Sequence, residues 1–166
     1  MQNSASISNT KIQDIIEPLY GQLCWDADLS YGEELNLEFG GRTTILKTPK
    51  FTLEKGDWSL GTRDSNWVLS YQDNNIITSE ADSKSIRTEV QNLEGKRVNS
   101  VIIQNNGGLQ VNFNGNYQLT IIPVIDLSED ALFNWELFTP DHKILRIKAK
   151  SPSQFTWSYI SSQTKV

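Results

Sequence analysis

Residues able to do covalent or metal chemistry are few here: one His, His142, and one Cys, Cys24, among 166 residues. Nucleophilic catalysis needs a nucleophile set beside a base. His142 lies in Pro140-Asp-His-Lys143, a run that reads as an exposed turn. Cys24 falls inside a strand pattern, with no basic neighbour to favour its thiolate. A single Cys forms no internal disulfide and suits a small buried apolar position. One Cys and one His cannot build a Cys/His zinc site. Gly107-Gly108 precedes a strand and lacks the Gly-Lys-Ser/Thr ending of a phosphate loop. No catalytic residue, metal or cofactor is therefore expected.

Carboxylates remain. Asp26 and Asp28 share one face of a strand pattern, about 7 Å apart. Glu33 and Glu34 follow closely, and Glu38 lies on the polar face of the next strand. A glycosidase pair or a Ca²⁺ site draws on such groups, but no Asp-x-Asp-x-Asn-Gly loop is present. The charge distribution suggests another use. Residues 1–83 hold six Lys/Arg and thirteen Asp/Glu, a net −7; residues 84–166 hold nine and seven, a net +2. An acidic half argues against nucleic acid as a partner, because phosphate binding needs clustered cations. It suits a basic protein. The expectation is a non-catalytic cytoplasmic protein-binding module that meets a basic partner through Asp26, Asp28, Glu33, Glu34 and Glu38. The alternative is a small-molecule binder or enzyme with a pocket between two copies, lined by Trp58, Trp67, Trp135 and the two aspartates. Core packing is the competing use of those tryptophans.

The elements carrying these residues recur. Leu35, Leu37 and Phe39 alternate with polar residues, as in a half-buried strand. Leu109, Val111 and Phe113 do the same 74 positions later. That offset also relates Ile12 to Ile86, Ile16 to Val90, Leu19 to Leu93, Gly21 to Gly95, Cys24 to Val98 and Ile45 to Leu119. Further on an offset of 77 relates Trp58 to Trp135, Leu60 to Leu137, Thr62 to Thr139 and Trp67 to Ile144, which implies a three-residue insertion in the second copy. The fold expected is α+β and β-rich: two tandem pseudo-repeats, each a short helix followed by antiparallel strands.

The first repeat is placed at 10–80 and the second at 81–160, packed as one globular unit. A disordered lead of 1–9 and a tail of 161–166 flank them. Helices are expected over 10–17 and 84–92, the second capped by Asp82 or Ser83. Strands are expected over 20–29, with Leu23 and Trp25 on one face, and over 96–104, with Val98, Ser100 and Ile102 on one side. Gly56-Asp57 reads as a turn. Hairpins are read at Arg63–Asn66, Asn105–Gly108 and Pro140–Lys143. Residues 72–83 read as the seam, and Phe155–Tyr159 as a further strand. No apolar run reaches the ~18 residues of a membrane helix. The first nine residues lack the basic-then-apolar order of a secretory signal.

Leu19-Tyr-Gly21, Leu37-Glu-Phe-Gly40, Trp58 with Trp67, Asp82-Ser83, Leu93-Glu-Gly95 and Trp135-Glu-Leu-Phe-Thr-Pro-Asp141 stand in an order that resembles an uncharacterised group of small bacterial proteins. The resemblance spans roughly 12–147 and implies a shared fold without an assigned activity. It departs at His142, where the group's pattern has Gly, which implies a different turn. Similar tandem-β chains occur among bacterial immunity proteins, an analogy of fold only.

Overall fold

In the computed structural model, residues 4–30 and 32–162 are described, with side chains from Asn9 onward. Helix α1 (Ser4–Ile16) runs into a 3-10 turn, then β1 (Cys24–Leu29), β2 (Leu35–Lys47) and β3 (Thr52–Thr62). β4 (Ser65–Tyr71) and β5 (Asn74–Thr78) follow. Helix α2 (Ser83–Val90) and a second 3-10 turn lead to β6 (Val98–Ile103), β7 (Leu109–Phe113) and β8 (Tyr117–Pro123). The chain ends in β9 (Trp135–Phe138), β10 (Lys143–Ser151) and β11 (Gln154–Ser161). This is the α+β, strand-rich fold expected, each helix followed by antiparallel strands. Asp82 caps α2 by accepting from the Ser85 N–H at 2.8 Å.

The strands form two antiparallel sheets, ordered β1-β2-β3-β9-β10-β11 and β5-β4-β8-β7-β6. Each sheet therefore takes strands from both halves of the chain. β4 and β5 leave the first half to pair beside β8, and β9 leaves the second half to pair beside β3. The helices cross as well: α2 packs on β1, and α1 on β6.

Where β1 meets β6 the contacts are reciprocal at the offset of 74. Gly21 N–H donates to Val98 O at 2.7 Å, and Gly95 N–H to Cys24 O at 2.8 Å. Cys24 N–H donates to Lys96 O, and Val98 N–H to Gln22 O. Leu23 and Arg97 form a bridge, and the Phe39 and Phe113 rings stack at 6.3 Å. Residue i meeting j while j's counterpart meets i's is the pattern of an isologous twofold contact. Gly21 and Gly95, at φ 82 and 87, turn the chain into it on both sides.

One hydrophobic cluster runs through both sheets and both helices. Leu35, Leu37, Phe39, Leu109, Val111 and Phe113 are all within it, as the alternation predicts.

Several expectations are corrected. The Trp58–Thr62 and Trp67–Tyr71 strands do not pair; residues 63 and 64 carry the chain from one sheet to the other. Trp67 pairs with Ile121, while Trp135 pairs with Thr62, so the structural counterpart of Trp135 is Trp67, not Trp58. Trp58 faces Phe39 as Tyr117 faces Phe113. The offset of 77 and the pairing of Ile45 with Leu119 are therefore accidents of spacing. Gly56 lies within β3, not in a turn, and a strand, β5, occupies the supposed seam. α1 begins at Ser4, so 4–9 is helical where a disordered lead was expected; residues 1–3 lie outside the described residues. Ser161 ends β11, and 163–166 of the expected tail also lie outside them.

Bulges shift the faces of β1 and β6. The register slips between Cys24 and Asp26, and between Val98 and Ser100, at matched positions. Cys24, Ala27 and Leu29 then point inward, as do Val98, Val101 and Ile103. Trp25, Ser100 and Ile102 do not. His142, in the Pro140–Lys143 turn, adopts φ 59, the left-handed conformation that glycine favours.

Candidate functional site

The bulge at Trp25 places Asp26 opposite Glu38, and Asp28 opposite Asn36, on the face of the first sheet away from the core. Glu38 is 6% exposed and is no surface contact, which corrects its expected role. Its carboxylate accepts from Asn36 Nδ2 at 2.8 Å, from the Gly56 N–H at 2.8 Å and from Ser59 Oγ. Gly56 is required there, because a Cβ would lie 2.6 Å from Phe39 O. A charge buried with three donors is a structural fastening.

The other four carboxylates keep some access to solvent. Burial pushes the Asp26 carboxyl above its ordinary value; Glu94, Asp28 and Glu38 add to the rise, and Arg42 opposes it. Asp28 pairs with Arg87 Nε at 3.1 Å, both groups about half exposed. Such a pair contributes little stability but neutralises part of the patch. Glu33, at φ 62, accepts from Ser83 Oγ at 2.6 Å. Burial raises the Glu34 carboxyl, with the Thr62 hydroxyl lowering it in part. The acidic surface is thus Asp26, Asp28, Glu33 and Glu34, gathered at the β1–β2 end beside α2. Among the described residues no group of three or more His, Cys, Asp or Glu is arranged to hold a metal ion.

The three tryptophans lie in the core at 5%, 3% and 0% exposure. Trp135 donates its indole N–H to Gly107 O at 2.7 Å. Their burial puts them to the packing use rather than on a surface beside Asp26 and Asp28. Cys24 is buried, and desolvation pushes its thiol to about 12. It remains a protonated core residue.

The feature that strand patterning did not single out is an arm. β2 and β3 continue past their neighbours, with Arg42–Lys47 paired only to Thr52–Gly56 among the described residues. Ile45, Leu46, Phe51 and Leu53 on it are 47–57% exposed. Arg42, Lys47, Lys50 and Lys55 surround them, with Glu54 the single acid of residues 42–55. The matched hairpin of the second half turns tightly at 114–116 and has no such arm. The signal was present in Ile45, Leu46, Phe51 and Leu53: four large apolar residues flanking a Pro-Lys turn. A groove of about 310 Å³ runs between the arm and the β9–β10 turn, bordered by Ile45, Lys55, Phe138, Pro140 and His142. Among the described residues no helix is long and apolar enough to cross a membrane. Searches of protein families, curated proteins and solved structures found no match to this chain.

Proposed function

We propose that the chain is a non-catalytic protein-binding module that acts by occupying a partner, with the β2–β3 arm as its anchor. The observation that carries this is the arm itself: Ile45, Leu46, Phe51 and Leu53 stand exposed on a hairpin extension that the matched hairpin of the second copy lacks, above a core that both copies share. Clustered exposed apolar residues mark interaction surfaces, and an unpaired strand edge is a template for another strand. Four cations against one acid make the complementary surface acidic as well as apolar.

A second reading keeps the basic partner, such as a basic toxin held in check, and seats it on Asp26, Asp28, Glu33 and Glu34. The charge division between the halves favours it. One experiment separates the two. Replacing Thr44–Glu54 by Asn-Gly joins the paired Thr43 and Lys55, and Asp28, Glu33 and Glu34 are reversed to Lys in a second variant. Against a partner isolated by cross-linking, the armless chain is expected to bind at least about 100-fold more weakly, with the reversed chain near wild type. The opposite pattern selects the basic partner. Equal binding by all three chains overturns both readings. Denaturation midpoints near wild type establish that each variant is folded.

A further inference from the structure

The bulged residues Trp25 and Asn99 occupy matched places in the two sheets. In the first sheet Trp25 lies under the Arg42 guanidinium, 4.4 Å from its ring, and Glu38 and Ser59 are buried beside it. In the second sheet the matched residues are Asn99, Asn112 and Gln118, and the short hairpin covers none of them. What the first sheet fills, the second leaves as an open groove of about 540 Å³.

The chemistry of the groove is uniform. Gln72, Asn99, Asn112, Asn116 and Gln118 present amides, and Tyr117 supplies a ring. Tyr71 packs on Tyr117 with centroids 4.7 Å apart. The charged groups balance: Asp73 lines the groove, and Lys96 Nζ stands 5.7 Å from the Tyr117 ring. Among the described residues the side chains of Asn99, Asn116 and Asp73 make no hydrogen bond within the chain. Gln72, Asp73 and Asn116 hold φ of 51, 65 and 68. Glycine would relieve that strain at all three, yet each position carries a polar side chain at the rim.

We propose that this groove binds a neutral saccharide, at a site separate from the arm. A sugar hydroxyl donates once and accepts twice, and an amide matches it with two donors and an acceptor. The C–H face of a pyranose suits an aromatic ring beside those amides. The size lies within the range of small-ligand sites. Balanced charge favours an uncharged ligand over an anion or a cation.

The test is a ¹H–¹⁵N titration of the whole chain with maltose, cellobiose, lactose and diacetylchitobiose. Glucose 6-phosphate, glucosamine and triglycine serve as comparison ligands. At least one neutral disaccharide is expected to give saturable shifts confined to residues 72–73, 99, 112 and 116–118, at millimolar affinity. Asn99→Trp, which installs the residue of the first copy, should abolish them. Gln72→Gly with Asp73→Gly relieves the strained turn, so it should fold at least as well as wild type yet bind about tenfold more weakly. The proposal is overturned by no saturable shift with any of the four, or by shifts elsewhere. Tighter binding of a charged sugar or of triglycine overturns it too, as does undiminished binding by the double glycine variant.

Discussion

Glu38 and Asn112 are counterparts 74 positions apart, on strands that hold the same place in their sheets. Glu38 is 6% exposed and held by three donors. Asn112 stays half-buried, donates to Ser100 Oγ at 2.8 Å and borders an open groove. The difference comes from what lies beyond each strand. In the first sheet Gly40 and Gly41 bulge, the hairpin runs on, and Gly56 and Ser59 close over the carboxylate. In the second, the turn at 114–116 ends the hairpin at once and nothing closes. The shared core is thus insulated from the surfaces built on it, which is how one scaffold can carry an apolar arm on one side and an amide groove on the other.

The comparison is tested hardest where the copies agree. Phe39 and Phe113 are both buried and stack on each other. Truncating either to Ala should cost about 3–5 kcal/mol in chemical denaturation. The double truncation should depart from the sum, since the two rings share one contact. A cost near zero for one of them would end the claim of an equivalent core.

The next effect separates the copies. Glu38→Ala leaves buried donors unmet and should cost about 1–3 kcal/mol. Asn112→Ala, whose neighbours keep access to solvent, should cost under about 1 kcal/mol. Equal costs would mean that the groove is as closed as its counterpart.

The smallest effect is a pH dependence. Folding raises the Asp26 carboxyl above its ordinary 3.8, first through burial and then through Glu94, Asp28 and Glu38. Its protonated form is therefore the one the fold favours. That contribution is complete below 3.8 and is lost as the pH rises through the folded value. Asp26→Asn should raise the thermal midpoint at about pH 7 and converge with wild type near pH 3. Ser100→Asp, which places a carboxylate at the matched position of the second sheet, should lower the midpoint at about pH 7. A pH-independent gain for Asp26→Asn would show that the carboxyl is not the cause.

Much of this protein was legible in its residues. Alternation at Leu35–Phe39 and Leu109–Phe113 determined two strands and their buried faces. Asp82 before a helical apolar spacing determined α2, and the offset of 74 determined that the two halves match. These are local signals, each written within a few residues or in a simple repeat of them. What the tertiary structure decided is non-local. A period of two says which side of a strand is apolar, not which edge pairs with which neighbour. The Arg63–Asn66 cluster permits a hairpin as readily as a passage between sheets, so the crossing of β4 and the true counterpart of Trp135 were hidden. A bulge adds one residue and turns over the faces beyond it, which is why Trp25, Ser100 and Ile102 were misplaced. The fate of Glu38 was hidden for the same reason: whether a carboxylate on a polar face meets water or three donors depends on the chain that folds back over it.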